Sequence, residues 1–185
     1  MTAFNGLNSL DYSLLIQIHS VSQNSFLDSV MPYVTNLGTM GAVWILISLV
    51  LISNRKYRNA GIMCIAAMLL TTAIGEGMLK NLIQRPRPFV QYPTIELLIP
   101  KPSSYSFPSG HTGSSFAAAW ILAMNVKKAA VPVYILAGAI AFSRLYLMVH
   151  YPSDVLAGII LGTASAVCAE ILFKKYMKSK EMKRT

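Results

Sequence analysis

Apolar residues in this chain fall in long runs separated by short polar islands. Runs of this kind have the reach of membrane helices, because about 20 apolar residues cross a hydrocarbon core. Gly38 to Ile52 predicts one span, closed by the basic loop Asn54-Arg55-Lys56-Tyr57-Arg58. Ala60 to Leu82 predicts the next, with Glu76 and Lys80 spaced i,i+4 on one face. Residues 84 to 110 form the longest loop, rich in proline and serine. Further spans are expected from Ser109 to Val126, Ala130 to Tyr146 and Pro152 to Phe173, with Lys127-Lys128 as a tight turn. The tail from Lys174 is expected to fray. Residues 1 to 36 are less regular. Leu10, Leu14, Leu15 and Ile18 make a helical stripe, broken near Ser20 to Ser25, and Phe26, Val30, Met31 and Val34 make a second. Asp28 and Pro32 argue against a simple lipid-facing span, so a first membrane helix with an interfacial or broken part is expected. The pattern predicts an all-α integral membrane bundle of six transmembrane helices, one domain over residues 1–185.

Composition supports this. Hydrophobic residues make up 54% and charged residues 12%, against about 25% charged in a soluble domain. The net charge of +9 is clustered, with no basic stripe interleaved with aromatics, so no nucleic-acid partner is expected. Cys64 and Cys168 both lie in apolar runs, which reads as two free thiols rather than a disulfide or metal site. No basic segment followed by a short apolar core opens the chain, so no cleaved signal peptide is expected.

The basic residues also orient the spans. Arg55, Lys56, Arg58, Lys127, Lys128 and the tail lysines fall on one side if spans alternate, and that side should be cytoplasmic. The chain is then a multi-pass protein of the cell (plasma or inner) membrane with a cytoplasmic tail at 174–185. The opposite, extracytoplasmic side holds three polar islands.

A charged cluster beside apolar runs is costly unless it serves a function. The island Ser143 to Asp154 carries Arg144, His150 and Asp154. Pro152 suits the first turn of a helix, which puts Asp154 in that turn. A carboxylate there can cap its helix, or it can fix the tautomer of His150 and leave the other nitrogen as a nucleophile. Arg144 offers a fork of donors to phosphate oxygens. The second island is Pro108-Ser109-Gly110-His111, where Ser109 is a good N-cap and free amides make an anion site. His111 would stand beside that anion as a general acid. The third island runs from Lys80 to Pro88, with Arg87 held extended between prolines. Arg85 reads as a surface or headgroup contact. Glu76 is a possible auxiliary, most simply paired with Lys80, and His19 reads as a satisfied interfacial histidine.

Taken together, Lys80 with Arg87-Pro88, then Pro108-Ser109-Gly110-His111, then Ser143-Arg144 with His150 and Asp154, resemble a known signature. It is the three-part signature of the type 2 phosphatidic acid phosphatase superfamily, which includes lipid phosphate phosphatases and vanadium haloperoxidases. The resemblance covers residues 80–154. It implies that His150 forms a phosphohistidine, Asp154 activates it and His111 protonates the leaving group. It further implies that Lys80, Arg87, Ser109, Gly110 and Arg144 bind phosphoryl oxygens, with no metal and no cofactor. The small size and compact loops resemble the bacterial members that recycle the cell-wall carrier lipid. The expected substrate is therefore undecaprenyl diphosphate, cleaved to the monophosphate and phosphate. Phosphatidylglycerophosphate and phosphatidic acid are the alternative substrates, and a vanadate-dependent peroxidase or a transporter are more distant readings.

Overall fold

The structure is a computed structural model and describes residues 5–182. Its helices are α1 (Asn5–Ser22), α2 (Ser25–Leu37), α3 (Ala42–Ser53), α4 (Arg58–Thr72), α5 (Lys80–Ile83), α6 (Pro88–Gln91), α7 (Gly110–Asn125), α8 (Ala130–Tyr146) and α9 (Pro152–Met182). No strand occurs among the described residues. A π-helical stretch, Ala73–Leu79, joins α4 to α5. Asn24 caps α2 by accepting the Leu27 amide at 2.9 Å. At the other end of α2 a short turn, Thr39–Gly41, bends the chain by 49° into α3. Met40 and Gly41 both take left-handed conformations there, at φ +52° and +69°.

Helix α7 is the centre of the bundle, packed against α4, α8 and α9. Its sequence explains how. Gly113, Ser114, Ser115, Ala117, Ala118 and Ala119 are all buried and small, so neighbouring backbones come close. The closest approach is to α9, whose Gly158 and Gly162 form a Gly-x-x-x-Gly pair. A Cβ on Gly162 would lie 2.1 Å from the Gly113 carbonyl oxygen, and one on Gly158 would lie 2.7 Å from the Ser109 oxygen. Only glycine fits at either position. On its other side α7 receives a hydrogen bond from the Trp44 indole to Ser115 Oγ at 2.9 Å.

The helices that carry the polar islands have basic clusters at their other ends. Arg55–Arg58 lies between α3 and α4, and Lys127–Lys128 between α7 and α8, while Lys174 to Lys180 lie at the end of α9. The starts of α7 and α9, the ends of α5 and α8, and the α2–α3 bend are at the opposite end.

Three helical stretches are long and apolar enough to cross a membrane: Arg58–Gln91, Lys127–Tyr146 and Pro152–Met182. The bent pair Ser25–Leu37 with Thr39–Ser53 makes a fourth. Helices α1 and α7 are not among them. α7 is central but spans 16 residues. α1 touches the end of α8 and the start of α9, with Asp11 accepting from the Ser153 amide and His19 Nδ1 meeting the Tyr146 carbonyl at 2.9 Å. These contacts pack α1 against α8 and α9. The contact of His19 agrees with its reading as a satisfied histidine.

Two expectations need correction. The tail does not fray at Lys174. α9 continues to Met182, since nothing in Lys174 to Met182 breaks a helix, and Lys174 pairs with Glu170 at 2.7 Å. Residues 183–185 lie outside the described chain. The span expected to begin at Gly38 instead starts as helix at Ala42, after the bend.

Candidate active site

The island residues gather around a cavity of about 980 Å³. Lys80, Arg87, Gly110, His111, Arg144 and His150 line its polar end. Met40, Ile45, Ile65, Met68 and Leu69 form an apolar wall, and polar side chains such as Thr35, Asn36, Thr39, Thr72 and Ser114 also face the cavity. Ile65 and Lys80 are 15 residues apart on a nearly continuous helix, so the apolar part runs roughly 20 Å away from the cations.

His150 is 1% exposed and sits in the turn before α9. Its Nε2 lies 3.1 Å from an Arg87 guanidinium nitrogen. Arginine has only donors, so Nε2 carries the lone pair and the proton is on Nδ1. Nδ1 in turn faces Asp154 Oδ2 and Ser106 Oγ, each at 3.5 Å. Burial first, and then the charges of Arg87, Arg144 and Lys80 and the neighbouring His111, hold the His150 pKa well below 6.5. The ring is therefore neutral, with its lone pair turned to the cations.

Asp154 is fully buried and saturated with donors. Oδ2 accepts the Ser106 hydroxyl at 2.5 Å and the Tyr151 amide at 2.9 Å, and Oδ1 accepts Arg85 at 2.6 Å. The bond to Tyr151 closes a capping arrangement at the start of α9. Asp154 thus caps its helix and faces His150 at once. Its carbonyl also accepts the Ser109 amide at 3.0 Å, which ties the start of α7 to the start of α9.

Arg87 is fixed on three sides. It donates to the Ser104 carbonyl at 2.7 Å, to Ser104 Oγ at 3.1 Å and to the Val149 carbonyl at 2.8 Å. Lys80 donates to Ser104 Oγ at 3.0 Å and pairs with Glu76 at 2.8 Å, as the i,i+4 spacing predicts. Arg144, at the end of α8, is buried and donates to Thr35 Oγ1 on α2. His111, in the first turn of α7, lies 3.5 Å from Thr39 Oγ1. The π-helical stretch carries Glu76 to Gly110, where a Cβ would meet Glu76 Oε1 at 2.4 Å. π-Helical turns of this kind recur at functional sites.

One expected ligand points elsewhere. The Ser109 hydroxyl bonds Thr112 Oγ1 at 2.9 Å and caps α7, and Ser109 does not line the large cavity. Arg85, expected at the surface, is 2% exposed and pairs with Asp154 and Asp11 at 2.6 Å each. Arg85, Asp11, Ser104, Ser106 and Thr35 were missed as site residues. For Asp11 a signal existed, since a carboxylate among apolar helix residues requires a cation. Among the described residues no cluster of His, Cys, Asp and Glu side chains is arranged to hold a metal. The polar groups around His150 are mostly cationic, which fits an anion.

This chain is similar to known phosphatases over most of its length. It is 32% identical to undecaprenyl-diphosphatase BcrC of Bacillus subtilis over 159 residues, covering 83% of this chain and 79% of that protein. It is 31% identical to an undecaprenyl-diphosphatase of Sulfolobus acidocaldarius, covering 80% of this chain and 72% of that one. Among solved structures, LpxE of Aquifex aeolicus superposes with a TM-score of 0.77 at 27% identity, covering 86% of this chain and 94% of that one. The PAP2-type phosphatidylglycerolphosphate phosphatase of Bacillus subtilis shares the fold, with a TM-score of 0.74 at 24% identity and coverage of 92% and 88%. The PAP2 superfamily description matches residues 60–178. That stretch includes every residue of the three islands, and the chain belongs to the PAP2 superfamily.

Proposed function

We propose that this protein is an integral membrane lipid phosphatase that hydrolyses undecaprenyl diphosphate to undecaprenyl phosphate and phosphate through a phosphohistidine. The observation that carries the reading is the His150 Nε2 lone pair, turned toward Arg87 at the cationic end of a cavity that also has an apolar wall of Met40, Ile45, Ile65, Met68 and Leu69. The cavity suits an amphiphile with an anionic head. Two relatives at 31–32% identity over most of the chain are undecaprenyl-diphosphatases, which supports this choice of lipid.

The terminal phosphoryl group sits among Lys80, Arg87, Arg144 and the free amides at the start of α7, including Gly110. Ser109 contributes by shaping that start. Nε2 of His150 forms a bond to phosphorus as the bond to the bridging oxygen breaks. His111 donates a proton to the departing lipid monophosphate. Water then attacks phosphorus, the P–N bond breaks, and His111 takes a proton from the water. The cations stabilise charge spread over the equatorial oxygens of both transition states. Asp154 holds the Nδ1 proton side of His150, and Glu76 competes with phosphate for Lys80. No metal or other cofactor takes part.

The chain is one membrane-embedded domain, 1–185. Its six membrane helices are α1, the α2–α3 pair, α4 with α5, α7, α8 and α9. The first of the six has an interfacial or broken part. The basic loops and the tail after Lys174 are cytoplasmic and the site is extracytoplasmic. The test compares kcat/KM of purified protein on undecaprenyl diphosphate, phosphatidylglycerophosphate and phosphatidic acid in one detergent. Preference for the diphosphate is expected. Preference for phosphatidylglycerophosphate overturns the substrate and leaves the phosphatase standing.

A further inference from the structure

Arg85 and Asp11 have no part in the reaction described above, yet both are buried against it, at 2% and 5% exposure. Arg85 donates to Asp154 Oδ1 at 2.6 Å, to Ser153 Oγ at 2.7 Å and to Asp11 Oδ2 at 2.6 Å. Its guanidinium lies 4.0 Å over the Tyr151 ring. Asp11 accepts the Ser153 amide at 3.1 Å and also the Ser153 hydroxyl. Asp11 is on α1, outside the residues 60–178 that match the family.

Charge makes this arrangement informative. When Nε2 of His150 bonds phosphorus, the imidazole ring becomes cationic. It already faces Lys80, Arg87, Arg144 and His111. The compensating charge has to come from Asp154, on the Nδ1 side. A guanidinium 2.6 Å from Asp154 orients that carboxylate but also cancels its field. Asp11, on the far side of the guanidinium, restores one net negative charge to the cluster.

We infer that Arg85 and Asp11 act together as positioning residues for His150: Arg85 fixes Asp154 with Oδ2 toward the ring, and Asp11 neutralises Arg85 so that the ring still feels Asp154 as an anion. The inference rests on His150 being the nucleophile. It gives α1 a part in turnover as well as in covering the bundle end. A clip that only holds α1 in place would show in stability alone.

The two residues carry opposite charges, so their removal has opposite consequences. The test uses full-length protein with Asp11→Asn, Arg85→Gln, both together, and Asp11→Glu, assayed on undecaprenyl diphosphate across pH. The other groups facing His150, namely Lys80, Arg87, Arg144, His111, Asp154 and Ser106, are the same in all variants. The ionisation of the substrate is also common to all. Asp11→Asn leaves an unbalanced cation, so kcat falls on the order of tenfold while KM stays within about twofold. The acid limb of its profile moves to lower pH, because the extra positive charge disfavours protonation of His150. Arg85→Gln moves that limb to higher pH. The double variant returns it toward the wild-type position, and Asp11→Glu keeps it there. Limbs that stay in place, or that move in the same direction in both single variants, overturn the inference. If Asp11→Asn does not fold, the upward shift in Arg85→Gln and the unmoved limb of Asp11→Glu carry the test. Phosphoenzyme trapping in wild type separates the two readings. Trapped phosphate on His150 with unmoved limbs sinks this inference alone, while the absence of phosphohistidine sinks the reading beneath it.

Discussion

Gly162→Ala tests how the bundle sets the site. The added methyl would stand 2.1 Å from the Gly113 carbonyl oxygen and 3.0 Å from the Ala117 amide nitrogen. Ordinary contact begins near 3.4 Å, so the first of these is short by about 1.3 Å. Both obstacles are backbone, and no rotamer change removes them. The helices must move apart by a comparable distance. Overpacking of this kind destabilises by about 1–3 kcal/mol, and a rigid backbone obstacle puts this case at about 3 kcal/mol. The consequence for function follows from the Ser109 amide bond to the Asp154 carbonyl, which links the starts of α7 and α9. Separating them displaces His111 from His150, and a misplacement of about 1 Å lowers turnover roughly 100-fold. Gly138→Ala is the control, because a Cβ there meets nothing within 4 Å. It should keep full activity and gain up to about 1 kcal/mol of helix propensity. The measurements are Tm in detergent and kcat on undecaprenyl diphosphate. Wild-type Tm and kcat in Gly162→Ala would refute the close α7–α9 crossing.

Other outcomes follow from the same geometry. His111→Ala should lose most turnover on a lipid phosphate but recover partly on an aryl phosphate with a good leaving group, since less protonation is needed. Equal loss on both rejects His111 as the acid. Turnover should survive EDTA and be inhibited by vanadate, and loss in EDTA restored by magnesium contradicts the scheme. In a background with Cys64 and Cys168 replaced, a cysteine at Ser103 should react with an impermeant thiol reagent in intact cells and one at Asn59 should not. Both positions are exposed, and Ser103 avoids Ser104, which holds Lys80 and Arg87. The reverse labelling overturns the orientation.

Much of this molecule is legible in one dimension, where boundary chemistry is local. α8 matches Ala130 to Tyr146 because lysines precede it and its last turn opens the polar island. The i,i+4 pair Glu76–Lys80 is visible for the same reason. The end of α9 is not, because basic residues permit a helix as readily as they permit fraying. The π-helical turn before Lys80 and the 49° bend before α3 answer to packing partners elsewhere in the chain. Arg85 was misread because its role depends on Asp11, 74 residues earlier, and Asp154, 69 later. Thr35, which meets Arg144 across 109 residues, was equally hidden. The islands carry the cations and histidines that line the cavity, while the groups that hold them in place are recognisable only after folding.

The central claim is that His150 carries the phosphoryl group. Rapid quenching with undecaprenyl diphosphate labelled at the terminal phosphate tests it most directly. The account predicts a base-stable, acid-labile label on protein that maps to the peptide containing His150 and is absent in His150→Ala. Full turnover by His150→Ala, or label on any other residue, would contradict it.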